Sequence, residues 1–335
     1  MGSPSTVLTQ VLYDDLRIAQ NRALLFRVGN LSIRVPASRV STDGSKPYSL
    51  GPDLEVEAML PAGVLQDYQI VFDYQKRTIS FAQPGTLSLE GKPVSFQIKK
   101  QTGLIAVDAL IDGKPYAVTI DNGSAYTWFA RRPVEEWLAS HPGWKRGVGA
   151  VGASNMMMAG DGVEASGILL RIPEIRLGPL SLEDVGALAV DSGKPFVSNF
   201  SLFEWYSAKN PVPVIGWLGG NVLKSFRLMI DYPAHTMYWL TQTGPDAHDL
   251  NQVGLTLTFQ KGDYLIAAIA SKNGKPSVEG VQPGDKLLRV GRLETKRATW
   301  GNIYDAMHGR AGEVRTLLLQ RGNTQLTVNA RITAF

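Results

Sequence analysis

The 335 residues contain no cysteine. That excludes disulfides, thiolate metal sites and a cysteine nucleophile. It fits a protein of the bacterial periplasm or cell envelope, where stray oxidation is a hazard. Histidine is scarce. His141, His235, His248 and His308 stand far apart, and none forms an HxH or HxxxH pair, so no histidine metal site is expected and no cofactor is implied. No apolar run approaches the ~18 residues of a membrane span, so no transmembrane segment is expected, and no signal peptide is visible. The opening Met1-Gly2-Ser3-Pro4-Ser5 reads as an expression scar, with a targeting segment removed ahead of it. A basic block is missing too. The 34 Lys and Arg are dispersed against 30 Asp and Glu, which makes a solvated surface rather than a nucleic-acid footprint.

What is present is alternation. Short apolar runs such as Leu24–Val28, Gly103–Ala109 and Tyr116–Ile120 are separated by turn signals such as Asp112-Gly113 and Asn273-Gly274. That pattern predicts a mostly β chain. Helix is expected only near 132–140, 221–226 and 299–309. An internal repeat runs through Val64–Tyr74 and Val222–Tyr232, at an offset of 158 as Val64 is to Val222. Repetition at that length implies two copies of one unit rather than a solenoid. The expected organisation is a tag remnant and extension over 1–21, a partial or degenerate unit over 22–85, a fuller unit over 93–241, and a compact unit of short strands and one helix over 250–335.

The chemistry centres on Thr119-Ile120-Asp121-Asn122-Gly123-Ser124. A strand delivers a carboxylate to a tight turn, and Gly123 lets the backbone approach where a Cβ would clash. An isolated Asp-x-Gly is usually a simple turn. Here it is followed in order by Val214-Ile215-Gly216, Leu218-Gly219 and Asp231-Tyr232-Pro233. Over roughly 96–241 the chain resembles the retropepsin-like aspartic peptidases. The resemblance implies an acid-protease β-barrel lobe, with the first copy incomplete, and Asp121 as a catalytic carboxylate in a loop completed by Asn122 and Gly123. Ser124 and Gly216 would line the cleft, with the strand at 214–216 beneath the loop. A hairpin flap would close on a protein or peptide substrate. The flap candidate is the Gly-rich 149–162, carrying Met156, Met157 and Met158. Its mobile-lid reading competes with a loop tucked against the protein and with a thioether site for copper(I). Consecutive side chains on a strand alternate faces, so all three Met could meet one ion only in an irregular loop.

In such peptidases two carboxylates a few Å apart share one proton and activate a water. The residue after the Asp supplies a hydroxyl that ties the halves together. Here it is Asn122, which can hydrogen-bond through its carbonyl and amide but is bulkier than Thr. The second carboxylate is not evident. The 158-residue offset places it before residue 1. Ala58 stands opposite Gly216, and Pro61-Ala62 opposite Gly219-Gly220. Asp14-Asp15 lacks a following Gly and reads as a solvated pair. Asp191-Ser192-Gly193 lies too close to 214 for an intervening flap and reads as a turn. Three solutions stay open: a homodimer bringing two Asp121 together, an upstream segment, or an inactive relative.

Towards the C-terminus, Gly280-Val281-x-x-Gly284-Asp285-x-Leu287-x-x-Val290-Gly291 resembles a bacterial PDZ domain over about 250–334. The resemblance implies that a peptide adds as a strand beside Gly254, Leu255, Thr256 and Leu257, whose backbone N–H groups receive its carboxylate. Position 256 lacks the glycine that favours such capture. A structural cap on the preceding lobe is the plainer reading. No His lies in a serine-protease context, and Gly193-Lys194 lacks a phosphate-binding loop before it. The chain is therefore expected to be an aspartic endopeptidase with a PDZ module for peptide binding or regulation. The alternative is an inactive peptide-binding scaffold.

Overall fold

The computed structural model describes residues 6–17, 23–42, 48–49, 55–149, 163–190 and 201–335. It is mostly β. The N-terminal unit opens with strand β1 (Thr6–Leu8), which Thr9 caps into helix α1 (Gln10–Asp15). A hairpin follows, β2 (Leu24–Val28) and β3 (Leu31–Val35), turning at Gly29 with φ +57°. Then come β4 (Val40–Thr42), β5 (Ala58–Met59), β6 (Gln69–Asp73) and β7 (Thr78–Ala82). The expected boundary at residue 22 does not follow the hydrogen bonding. β1 is the middle strand of a three-stranded sheet, parallel to β4 and antiparallel to β5, and its Leu8 is buried. This unit starts no later than Thr6.

The middle unit contains β8 (Lys92–Ser95), β9 (Ile105–Ile111), β10 (Lys114–Ile120) and β11 (Thr127–Ala130), which leads into α2 (Arg131–Ser140). It continues with β12 (Arg146–Val148), the long hairpin β13 (Ile168–Leu177) and β14 (Leu180–Val190), and α3 (Leu202–Lys209). β15 (Gly216–Leu218), α4 (Gly220–Leu223), β16 (Phe226–Asp231) and β17 (Thr236–Thr241) complete it. Six strands in the order β9-β10-β15-β11-β14-β13 close into a barrel, because β13 returns to β9 at Leu110–Arg176 and Ile111–Ile175. Val107, Val118, Ile120, Phe129, Leu170, Ile172 and Leu218 fill it. Inward residues alternate along β9 and β10, which is why alternation was legible there.

The repeat becomes a pseudo-two-fold axis. β6 and β16 pair antiparallel with Val71 opposite Met229, and those two positions are equivalent in the repeat. On either side Gln69 faces Asp231 and Asp73 faces Arg227. The sheet extends symmetrically to β7 and β17, then on one side to β8. The relation reaches further than the sequence repeat. β4-β1-β5 has the same parallel and antiparallel pairings as β14-β11-β15. The hairpin β2–β3 matches β13–β14, with Gly29 standing where Gly178 stands, at φ +57° and +56°. Counterparts of β9 and β10 are missing from the N-terminal unit among the described residues.

The C-terminal unit has β18 (Leu255–Gln260), β19 (Asp263–Ile269), β20 (Lys286–Val290), α5 (Trp300–Met307), β21 (Val314–Arg321) and β22 (Thr324–Arg331). Its sheet runs β18-β19-β20-β21-β22, with β18 at the edge. Leu255, Leu257, Tyr264, Leu287, Ile303 and Leu317 form its own core. A small hairpin at 271–276 links the units: Ser271 pairs with Val148 of β12.

Helices appear where expected, at Arg131–Ser140, Gly220–Leu223 and Trp300–Met307, the second shorter than its pattern. α1 and α3 were not expected. For α3 a signal existed in Ser201-x-x-Glu204, which forms a capping box in the structure.

Candidate active site

β10 runs parallel to β15, with Thr119 beside Trp217 and Ile120 beside Leu218. The Asp121 N–H continues that ladder to the Leu218 carbonyl at 3.0 Å. The chain then turns. Gly123 N–H donates to Asp121 Oδ1 at 3.0 Å, and Ser124 N–H donates to the Asp121 carbonyl at 3.2 Å. A Cβ on Gly123 would stand 3.3 Å from Asp121 Oδ1 and crowd that bond. The N-terminus of α4 supports the loop from below: Gly220 N–H donates to the Ser124 carbonyl at 2.7 Å and Asn221 N–H to the Ala125 carbonyl at 3.0 Å. Asp121 and Asn122 are half-buried and Gly123 is exposed.

Two residues expected to line a cleft do something else. Gly216 is buried where β15 meets β11, and an added Cβ would lie 2.1 Å from the Trp128 carbonyl oxygen. Its part is close approach of two strands. Ser124 is buried, and its Oγ donates to the Tyr126 carbonyl at 2.8 Å, inside the loop. Met156, Met157 and Met158 lie outside the described residues, as does Asp191-Ser192-Gly193.

Beneath the loop lies a polar network that the sequence did not announce. Asn221 Oδ1 accepts from Thr127 N–H at 2.8 Å and Thr127 Oγ1 at 3.1 Å. Thr127 Oγ1 in turn accepts from Gly219 N–H at 3.2 Å. Asn221 Nδ2 donates to the Gly186 carbonyl and to Asp249 Oδ2, both at 2.7 Å. Asp249 Oδ1 is 2.6 Å from Arg171 Nη2, and both side chains are 5% exposed. Burial pushes the Asp249 carboxyl above the usual range, against the pull of Arg171 and Asn221. A buried charge pair is tolerated when its remaining hydrogen-bonding capacity is met, as here. These residues are too far apart in sequence for any spacing rule to join them.

Asp121 faces phenols. Tyr206 on α3 donates a hydrogen bond to its carboxylate, and burial together with that charge holds the Tyr206 phenol well above its ordinary range. Tyr74, just past β6 in the N-terminal unit, is pushed up to about 12 by burial and by the Asp121 charge. A residue of one unit therefore sits within electrostatic reach of the carboxylate of the other.

The C-terminal unit touches this layer. Tyr304 on α5 meets Tyr126 edge to face, with ring centroids 6.0 Å apart, and its hydroxyl donates to the Asp249 carbonyl at 3.3 Å. Gly254, with φ +86°, packs against Ser277 and Phe335. Leu255, Thr256 and Leu257 are all buried, with Leu255 and Leu257 turned into the core. A cavity of about 580 Å³, lined by Leu138, Arg146, Val148, Ser271 and Asn273, lies elsewhere, against α2 and β12. Among the described residues no cluster of three or more acidic or histidine side chains could hold a metal ion, and no helix is long and apolar enough to cross a membrane.

No family description matches this chain, and no curated protein does. Among solved structures, a retropepsin-like aspartic protease from Rickettsia conorii is similar over 46% of this chain and 96% of that chain, at 11% identity and a TM-score of 0.29. A likeness at that level carries no argument; the loop itself does.

Proposed function

We propose that this chain is an aspartic endopeptidase acting on protein or peptide substrates, with Asp121 as one of two catalytic carboxylates. The observation that supports it most is the setting of Asp121. It ends a barrel strand, in a turn tightened by its own carboxylate, at the boundary between two pseudo-symmetric units. Two carboxylates meeting there share one proton and titrate as a pair. The ionised one takes a proton from water as the water oxygen bonds to the scissile carbonyl carbon. The protonated one gives its proton to the carbonyl oxygen. As the resulting diol collapses, the C–N bond breaks, one diol hydroxyl returns a proton to the carboxylate that gave one, and the amine leaves with the proton that water lost. Asn122 and Gly123 shape the loop, and Tyr206 positions the Asp121 carboxylate.

The C-terminal unit is read as a PDZ-like module. Its edge strand β18 offers a place for a peptide to add beside Gly254–Leu257, and Tyr304 ties it to the catalytic layer. The absence of cysteine favours the periplasm or envelope. A peptide-binding scaffold without catalysis is the second reading, supported by the Tyr206 hydroxyl already occupying the Asp121 carboxylate.

The test is cleavage of an unstructured protein from about pH 3 to about pH 8, where carboxylate dyads work. Asp121→Ala is expected to lower the rate at least ~10³-fold with circular dichroism unchanged. A wild-type chain that cleaves nothing across that range, with and without natural upstream sequence, would leave the scaffold reading standing.

A further inference from the structure

Residues 332–335 belong to two cores at once. Ile332 is buried in the core of the C-terminal unit, with Leu255, Leu287 and Leu317. Phe335, close behind it, is 2% exposed and lies in a cluster built mainly from the middle unit, with Trp128, Leu169 and Leu188. Between the two, Thr333 forms a strand-like bridge with Gln252. Its N–H donates to the Gln252 carbonyl at 2.8 Å, and its carbonyl accepts from the Gln252 N–H at 3.1 Å. Lys272 Nζ, on the linking hairpin, donates to the Ala334 carbonyl.

The middle unit is shaped for that ring. β12 alternates: Arg146 and Val148 are exposed, and Gly147 between them is buried. The Gly147 backbone is not in the left-handed region, so its conformation alone would admit a side chain. A ring and a carbonyl refuse one. A Cβ on Gly147 would stand 3.0 Å from Phe335 Cδ1 and 3.0 Å from the Ser271 carbonyl oxygen. A Cβ on Gly254 would stand 2.9 Å from Phe335 Cζ. Two glycines from different units thus close on one aromatic ring. The cavity against α2 and β12 shares Gly147 and Ser271 with this pocket, which leaves space beside the anchor.

We propose that residues 332–335 are an intramolecular ligand: a strap whose aromatic anchor docks the C-terminal unit on β12, in a pocket between Gly147 and Gly254 that binds the aromatic side chain of an apolar peptide segment. The strap is tethered, so it holds the site at an effective concentration on the order of millimolar. A separate peptide of the same chemistry gains the pocket only when the strap lets go. The strap also bears on the candidate active site. Its partner Gln252 lies in the linker that carries Asp249, whose carboxylate accepts from Asn221 beneath the Asp121 loop. Undocking would loosen that linker. The inference rests on neither catalysis nor peptide addition at β18.

The full chain carrying Thr333→Pro and Phe335→Ala opens the strap without shortening it, since proline removes the N–H that the Gln252 carbonyl accepts. The probe is a peptide with the sequence of residues 331–335, Arg-Ile-Thr-Ala-Phe, acetylated and amidated so that no terminal charge takes part. Isothermal titration is expected to show at least ~10-fold tighter binding to this variant than to the wild-type chain, and none once the peptide's Phe is replaced by Ala. Adding Gly147→Leu fills the pocket from the β12 side and is expected to abolish binding with tryptophan fluorescence unchanged. Gly147→Ala, the smaller change, replaces it if Leu disturbs the fold. In Phe335→Ala alone, amides of residues 146–149 and 252–254 are expected to exchange at least ~10-fold faster, with β16 and β17 unchanged. Equal binding to wild type and variant, binding that survives the Gly147 substitution, no binding to a folded variant, or unchanged exchange would each overturn the proposal. Global unfolding of both the double variant and Phe335→Ala alone would do so too, because the segment would then be core rather than ligand.

Discussion

The N-terminal and middle units share a strand plan but hold it together with different chemistry. Where the middle unit has Asn221, whose amide joins Thr127, Gly186 and Asp249, the N-terminal unit has Gly63. A Cβ on Gly63 would lie 2.9 Å from the Thr102 carbonyl oxygen, so no side chain fits there. Where Gly216 lets two strands touch, the N-terminal unit has Ala58; where Gly219 passes the Tyr126 carbonyl, it has Pro61. One unit fixes its Asp121 loop from below with buried hydrogen bonds. The other is fixed by leaning on its neighbour's backbone. Only one copy of a duplicated frame has to carry the polar machinery, provided the two are covalently joined.

The sharpest way to break this contrast is Asp249→Ala. It strips Arg171 and Asn221 of their shared partner and leaves a charge buried, which is expected to cost about 3–5 kcal/mol in urea unfolding. A loss under about 1 kcal/mol would mean that the network is not what holds the loop. Next comes the paired exchange of Gly216→Ala and Ala58→Gly. The first forces a methyl against the Trp128 carbonyl and is expected to destabilise by about 1–3 kcal/mol. The second loosens a strand and is expected to cost about 0.5–1 kcal/mol. Equal effects would erase the difference between the two junctions.

Tyr206→Phe removes a hydrogen bond to a charged group. It is expected to cost about 1.5 kcal/mol in the same assay. In the converse variant, Asp121→Asn, the Tyr206 phenol loses the nearby charge that raises it and is expected to ionise at lower pH, visible in ultraviolet titration. An unmoved phenol would show that the two side chains do not communicate.

The smallest effect concerns the C-terminal unit. Hydrogen bonds from Arg321, at 2.8 Å to each carboxylate oxygen, hold the Asp285 carboxyl below its ordinary range, helped by Gln282 N–H. A carboxylate depressed in the folded state binds fewer protons there than when unfolded. Its contribution is full above about pH 4 and is lost as pH falls through the folded value. The thermal midpoint of this unit is therefore expected to drop on acidification, and less so in Arg321→Ala.

The barrel was legible wherever strands were long enough to alternate, as at Ile105–Ile111 and Lys114–Ile120, and the loop at Asp121 was legible from its triplet and its order with Gly216 and Asp231. β1 was not. Three residues are too few for a period, and the Gly-Ser-Pro before them suggested something appended. Its place shows only in its partners, Val40–Thr42 and Ala58–Met59. Tyr206 and Asp249 escaped for a related reason. A phenol on a helix and an acid in a linker carry no local mark of what they will meet, because they gain their roles across about 80 positions from Asp121 and Arg171 respectively. Gly216 and Ser124 were found, but in the wrong role. Sequence showed that small residues were required there and could not show that the Gly216 Cα faces a carbonyl and the Ser124 hydroxyl its own loop.

The contacts flanking the central strand pair carry a last consequence. Related by the pseudo-two-fold, they are no longer alike: Gln69 Nε2 donates to Asp231 Oδ2 at 2.6 Å, while Arg227 Nε stands 3.8 Å from Asp73 Oδ2. In a true homodimer every substitution is written twice, and an amide on one flank compels an amide on the other. This molecule is free of that obligation. Its flanks can differ in charge, so either side of the buried seam between the units can be altered by one substitution without the same change appearing on the other.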